Sequence, residues 1–186
     1  TYGDCGYLIG RYYINADKQV SKLNFSTETE AYNGQYLGEG RGAAQGVQST
    51  RHGYACGGLV TGSTVTKTVD RVRFADGVII RAGVAMKVSR SYGAGVSSST
   101  KGYAAGNQSA DIDGIQFDTE TLIDPSATLP TLRSKMAGVQ SSTKGYFLGG
   151  DGGPTEIDGI QFSDETAINP AATLGVSRYS SAGVQS

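Results

Sequence analysis

The sequence predicts an all-β protein, a propeller of four blades with four short antiparallel strands in each. Three observations predict it. A stretch of fourteen residues, 137–150, recurs in degraded copies along the chain. Each copy is followed, after a stretch of variable length, by the same landmark residues at fixed distances from one another. No segment carries the apolar spacing of an amphipathic helix of three turns, whereas the segments between landmarks are brief and bounded by Gly, Ser, Thr and Lys, in the manner of strands and tight turns.

The full copy reads Ala-Gly-Val-Gln-Ser-Ser-Thr-Lys-Gly-Tyr-Phe-Leu-Gly-Gly; its relatives are residues 45–58 and 94–107, with half copies at residues 6–10 and 182–186. The tyrosines of the Gly-Tyr pairs, Tyr7, Tyr54, Tyr103 and Tyr146, are each followed by a phenylalanine, Phe25, Phe74, Phe117 and Phe162. Twelve residues later stands Leu37, Met86, Leu129 or Leu174, four beyond it Arg41, Arg90, Arg133 or Arg178, and six beyond that Val47, Val96, Val139 or Val184. Seven residues then separate each of the first three valines from the next tyrosine. All length variation falls between tyrosine and phenylalanine, with gaps of 18, 20, 14 and 16 residues. Constant spacing marks scaffold and variable spacing marks surface loop, so residues 11–19, 58–67, 107–110 and 150–155 are assigned to loops. Residues 1–186 form one domain of four repeats, approximately 1–49, 50–98, 99–141 and 142–186.

Each unit yields its strands in order. Ala-Gly-Val-Gln-Ser is the innermost. Gly-Tyr-Phe-Leu-Gly-Gly is the second, ending in a glycine pair that suits a sharp exit or a close backbone approach. The third covers residues 20–25, 69–74, 112–117 and 157–162, with apolar residues at offsets 0, 3 and 5. Offsets 3 and 5 share a strand face and offset 0 does not, so a bulge is expected there, at Gly114 and Gly159 in the last two units. The phenylalanine at offset 5 is assigned to the core, Phe25 included. Polar turns such as Asp118-Thr119-Glu120-Thr121 follow. The fourth segment carries Ile80, Ile123 or Ile168 and then, in the last two units, Pro125 or Pro170, which cannot donate to a ladder and places it at an outer edge.

Both ends of the chain fall at one phase of the repeat, inside the first hairpin of a blade. Residues 182–186 are therefore expected to supply the innermost strand of the blade that Tyr7 begins, so that the strand at 180–186 completes the first blade and removes the open edge. Two rivals stand beside this: the last strand completes the first blade of the next copy in a head-to-tail filament, or two chains join into a larger ring. With no initiating Met, the chain is expected to be a processed product or a piece of something longer.

The paired glycines after the second strand, the aromatic in the third and the arginine before the first resemble a Kelch repeat, although the tryptophan usual in that repeat is missing, the chain having no Trp. Residues 145–150 followed by residues 157–166 are similar to tandem arrays in structural proteins of marine tailed phages, cyanophages in particular. The resemblance covers nearly the whole chain and is weakest over residues 12–18. It implies blade architecture, and by association a virion or extracellular location.

Composition narrows the partners. With 16 basic and 17 acidic residues there is no general electrostatic draw toward nucleic acid or an anionic membrane. No run approaches the roughly 18 apolar residues of a spanning helix, so no membrane insertion is expected, and the first residues do not read as a signal segment. Cys5 and Cys56 are too few for a disulfide framework; they are either bridged between neighbouring repeats or two buried small hydrophobes.

Four candidate sites carry chemistry. Arg41, Arg90, Arg133 and Arg178 hold one position in every unit, and symmetry places four guanidinium groups near a channel mouth, either as an anion or acidic-glycan site or, more simply, bound to backbone carbonyls or an acid of a neighbouring blade. Asp111 with Asp113, and Glu156 with Asp158, joined by Asp151, have the oxygen chemistry of a calcium site; unit two has Thr68 and Asp70 there and unit one Gln19 and Ser21, which favours a solvated strand face, and no metal is assigned. The variable loops are the expected recognition surface, with Tyr12, Tyr13 and Asp151 as candidate ligand-binding residues, the tyrosines offering flat amphipathic surface to a sugar or a protein; the simpler reading is solvent-exposed connection. His52 occupies a hairpin position held by Lys101 and Lys144 in the next units and reads as a turn residue, and neither a Gly-x-Ser-x-Gly elbow nor a Walker loop is present. The expected function is a non-enzymatic binding or structural module without cofactor, a virion appendage or surface decoration contacting a host glycan or another virion protein. The alternative is a secreted carbohydrate-binding or filament-forming surface protein of a bacterium or alga.

Overall fold

The computed structural model describes residues 5–10, 18–60, 63–107, 109–151 and 155–184, and among them the chain forms fifteen strands and no α-helix. They make four antiparallel sheets. The first is β1 (Cys5–Ile9), β2 (Gln19–Asn24) and β3 (Thr29–Tyr36). The second is β4 (Gln45–Gln48), β5 (His52–Cys56), β6 (Thr68–Arg73) and β7 (Ile79–Ala85). The third is β8 (Ala94–Ser97), β9 (Lys101–Ala105), β10 (Ile112–Gln116) and β11 (Thr121–Ile123). The fourth is β12 (Ala137–Gln140), β13 (Lys144–Leu148), β14 (Ile157–Gln161) and β15 (Ala167–Ile168). Within each sheet the strands lie in chain order, because every connection is a hairpin.

Local chemistry fixes these hairpins. Ser49 Oγ accepts from the N–H groups of Arg51 and His52, and Ser98 and Ser141 do the same for Thr100 with Lys101 and for Thr143 with Lys144. After the third strand the chain turns through a left-handed residue, Glu28, Gly77, Glu120 or Glu165. Where the fourth strand meets a proline it is short: β11 and β15 stop two residues before Pro125 and Pro170, whereas β3 and β7, without proline, run to 8 and 7 residues.

The bulge expected at Gly114 and Gly159 is not there; pairing through β10 and β14 keeps one register. Register shifts occur instead opposite β2 and β6, in the first two sheets. In the third sheet parity needs no repair, because that sheet is buried on both faces. Ile112 packs with Tyr103, Ala105 and Phe147 on one side of β10, while Ile115 packs with Val47, Tyr54 and Phe117 on the other. Gly114 and Gly159 make room for a ring: a Cβ there would lie 3.1 Å from Cδ1 of Tyr103 and 2.9 Å from Cδ1 of Tyr146.

Neighbouring sheets join by one rule. The tyrosine face of each sheet packs on the phenylalanine face of the next, with parallel rings: Tyr7 on Phe74 at 5.9 Å, Tyr54 on Phe117 at 5.2 Å and Tyr103 on Phe162 at 5.6 Å. The backbone repeats a second rule just ahead of each innermost strand. Ala43, Tyr92, Lys135 and Ser180 are all left-handed, and Tyr92 N–H donates to Ala43 C=O, Lys135 to Tyr92 and Ser180 to Lys135. Three residues further on the inner strands touch through glycine: a Cβ on Gly95 would meet Gly46 O at 2.1 Å, one on Gly138 would meet Gly95 O at 2.4 Å, and one on Gly183 would meet Gly138 O at 2.3 Å.

The last turn of this pattern departs from the sequence expectation. Of residues 180–186, the described part, 180–184, pairs with no strand, and the first sheet has three strands. Residues 178–180 are tied instead to the segments flanking the fourth sheet's inner hairpin, through Gly150 N–H to Arg178 C=O and Ser180 N–H to Lys135 C=O, and among the described residues nothing lies within 4 Å of a Cβ on Gly46. The first sheet's phenylalanine face is accordingly uncovered. Phe25, assigned to the core from sequence, is 56% exposed, while Phe117 and Phe162 are buried.

Candidate functional site

The repeated arginines come first. Arg41, Arg90 and Arg133 are fully buried. Each reaches from the segment ahead of an innermost strand to an aspartate on the third strand of the same sheet: Arg41 Nη2 to Asp70 Oδ2 at 2.7 Å, Arg90 Nε to Asp113 Oδ2 at 2.9 Å, and Arg133 Nη2 to Asp158. Backbone carbonyls complete the set, Ala55 O for Arg41, Gly106 O for Arg90 and Phe147 O for Arg133. These guanidinium groups brace a sheet from within and face no channel mouth. Arg178 differs: it is exposed, and among the described residues no carboxylate pairs with it.

The aspartates correct the strand-face reading. Asp70, Asp113 and Asp158 are buried, and burial pushes the carboxyls of Asp70 and Asp158 upward against the pull of their arginines. Asp113 also accepts from Val88 N–H, so neither it nor Asp158 points to solvent. The pairing has a sequence signal that spacing by type alone did not expose: Asp70, Asp113 and Asp158 each stand four residues before a landmark phenylalanine, where the first unit has Ser21.

A second set of polar contacts crosses the junctions. Tyr54 and Tyr103 donate their hydroxyls to Glu120 and Glu165 of the following sheet, both at 3.2 Å, where Arg71 and Lys101 also pair. Burial raises both phenols, Tyr54 to about 12. His52 opens β5, edge-on to Tyr54 at 6.1 Å, and burial lowers its imidazole.

The loops between second and third strands leave their sheets beside the chain that leads into the same sheet's inner strand, Leu59 bridging to Gly42 and Asp151 to Ser134. Asp151 accepts from Ser134 N–H and Oγ at 2.9 and 2.6 Å and pairs with Lys135 at 3.0 Å, and the Ser134 hydroxyl is the main cause of its lowered pKa. It braces the loop root and keeps 42% of its side chain in solvent. Tyr12 and Tyr13 lie outside the described residues, as do residues 152–154 of the last loop.

Cys5 and Cys56 are both free thiols. Cys56 faces the third sheet, beside Ala104 and Ile115, where burial raises it to about 12, and Cys5 Sγ lies 3.7 Å from the Tyr7 hydroxyl.

A cleft of 530 Å³ lies among the inner strands, lined by Gly46, Gly95, Gly138 and Gly183 and reached by β1 through Cys5 and Tyr7. Its polar side chains lace strands together: Ser97 Oγ accepts from Gln48 N–H, and Ser97 N–H donates to Gln140 Oε1. No protein-family model and no curated protein matches the chain.

Proposed function

We propose that this chain is a non-enzymatic binding and structural module, built as a four-bladed Kelch-like propeller in which residues 180–186 complete the first blade. One observation carries the reading: the polar residues that recur from unit to unit, Arg178 apart, are spent on internal bracing, while chain length varies only on the second-to-third-strand loops. Arg41, Arg90 and Arg133 are buried against aspartates, and Tyr54 and Tyr103 hold glutamates of the next sheet. The loops of unequal length start from one point of this constant frame, the arrangement in which a rigid scaffold displays recognition surface. The arrangement of Gly46, Gly95, Gly138 and Gly183 around one cleft supports the radial architecture.

On this reading the module belongs to a virion appendage or surface decoration, as the resemblance to tailed-phage arrays implies, and its loops contact a host-surface glycan or another virion protein. A glycan array tests it. Binding to a defined glycan class, lost in the variant Tyr12→Ala with Tyr13→Ala while size and stability stay those of the parent, is the expected result. Absence of binding to glycans and to purified virion proteins alike would remove the recognition role and leave a purely architectural one.

A further inference from the structure

Three junctions between sheets share the tyrosine-on-phenylalanine stack, two of them add a tyrosine-to-glutamate hydrogen bond and a glycine contact between inner strands, and the chain carries the components of a fourth. The uncovered side of the first sheet presents Leu8, Leu23 and Phe25, exposed by 72%, 42% and 56%, in the positions where the third sheet buries Ala104, Ile115 and Phe117 and the fourth Phe147, Ile160 and Phe162. The outer side of the fourth sheet presents Tyr146, Leu148, Ile157 and Leu174, all half-buried, in the positions where the third sheet buries Tyr103, Ala105, Ile112 and Leu129. Each side lacks what the other offers. Charge agrees: Glu28 holds the place of Glu165, and Lys144 holds the place of Lys101, whose ammonium lies 2.6 Å from that glutamate.

We propose that these two sides meet within one chain as a fourth junction, the seam of the ring. Tyr146 stacks on Phe25, its hydroxyl and Lys144 take Glu28, Ala43 N–H donates to Ser180 C=O, and Gly46 rests on Gly183 O. The occupant is the chain's own fourth sheet for two reasons. The interface continues the ring stack common to the three established junctions and repeats the hydroxyl-and-lysine-to-glutamate contacts between the third and fourth sheets. β1 and Gly183 also line the same cleft, so the two ends face each other at the high effective concentration of a short tether, which a second copy at micromolar concentration does not match.

The first sheet differs from the other three at one residue. Ser21 stands where Asp70, Asp113 and Asp158 receive the arginine of their own sheet, so residues 178–184, drawn onto the first sheet as the seam closes, bring Arg178 against a hydroxyl instead of a carboxylate. A buried guanidinium without its acid weakens the contact. The ring therefore opens at the seam first.

This inference rests on the blade reading above, and the test separates the two. In a Cys5→Ser, Cys56→Ala background, Glu28→Cys with Lys144→Cys probes the seam and Lys101→Cys with Glu165→Cys probes an established junction. Each is treated with a short bis-maleimide and sized. Monomeric cross-linking of both pairs is expected. Cross-linked dimers or ladders from the seam pair overturn the proposal in favour of a second copy, and reaction of the junction pair alone overturns it outright. Failure of both pairs overturns the blade reading itself. As a second measurement, Ser21→Asp is expected to raise the thermal midpoint by a few degrees, and the gain to vanish when Arg178→Met is added; no gain in the parent counts against the seam.

Discussion

At the scale of the residue, the chain's most repeated polar feature is an ion pair removed from water. Desolvating an arginine and an aspartate offsets most of their attraction, so such a pair adds little net stability, yet losing one partner strands a buried charge. Asp113→Ala is therefore expected to cost about 3–5 kcal/mol, and Arg90→Met with Asp113→Leu to recover most of that loss, as read by guanidinium unfolding of the four chains in a double-mutant cycle. The tyrosines set an alkaline limit. Tyr54 keeps its proton to about 12 in the fold because it is buried and donates to Glu120, whereas an unfolded tyrosine loses it near 10. Between those values the unfolded chain binds fewer protons than the folded one, so stability is full below pH 10 and falls as pH rises toward 12. Tyr54→Phe is expected to flatten that fall, by no more than about 3 kcal/mol, in unfolding curves recorded across this range. Such roles were only partly legible in the sequence. The arginine spacing and the aspartate spacing each stood out, but with one acid replaced by Ser21 the two did not read as partners, and a polar residue at a strand position looks solvated until a second sheet is known to cover it.

At the scale of the element, glycine and proline decide what each strand can do. The inner strands approach through backbone, with Gly95 so close to Gly46 O that a Cβ would lie 2.1 Å away. No flexible side chain yields there, so Gly95→Ala must push the inner strands apart and is expected to cost about 1–3 kcal/mol, the range for overpacking. Gly83 in β7 has nothing within 4 Å of a Cβ, and Gly83→Ala is expected to be neutral or mildly stabilising; thermal melts of the two variants side by side check the contrast. Strand order and turns were readable because turn residues, the glycine pair and the two prolines act locally, whereas the sixteenth strand, expected at the chain's end, is not formed by the described residues. The parity change in the third strand was misread as a bulge for a physical reason. A strand covered on both faces has no polar side to keep in register, so Ile112 and Ile115 serve opposite cores. That fact belongs to the packing of sheets and leaves no mark in a single strand.

At the scale of the whole molecule, stability is a sum of sheets and junctions between neighbours, as in other repeat arrays. The second and third sheets are flanked on both sides by the tyrosine-on-phenylalanine contact, and their cores hold the deeply buried Tyr54, Tyr103, Ile112 and Ile115. The first sheet shares one such contact, with the second, its other face depends on the seam, and its own β2 carries Ser21 where the other sheets carry the braced aspartate. The fixed register along the chain made the count of sheets legible, but not this inequality, because the landmark residues are present in all four units and the difference lies in how Phe25 is covered. Opening is therefore expected to be graded. In native-state hydrogen exchange, amides of β1 and β2 should exchange through a sub-global opening well before those of β9 and β10, whose protection reports global unfolding. Ser21→Asp should slow exchange in β1 and β2 and leave β9 and β10 unchanged, since it gives Arg178 a partner in the first sheet and touches no other sheet. Uniform protection across all four sheets in the parent chain would mean that the seam is as strong as the rest, and that the missing acid is made good by contacts other than Arg178.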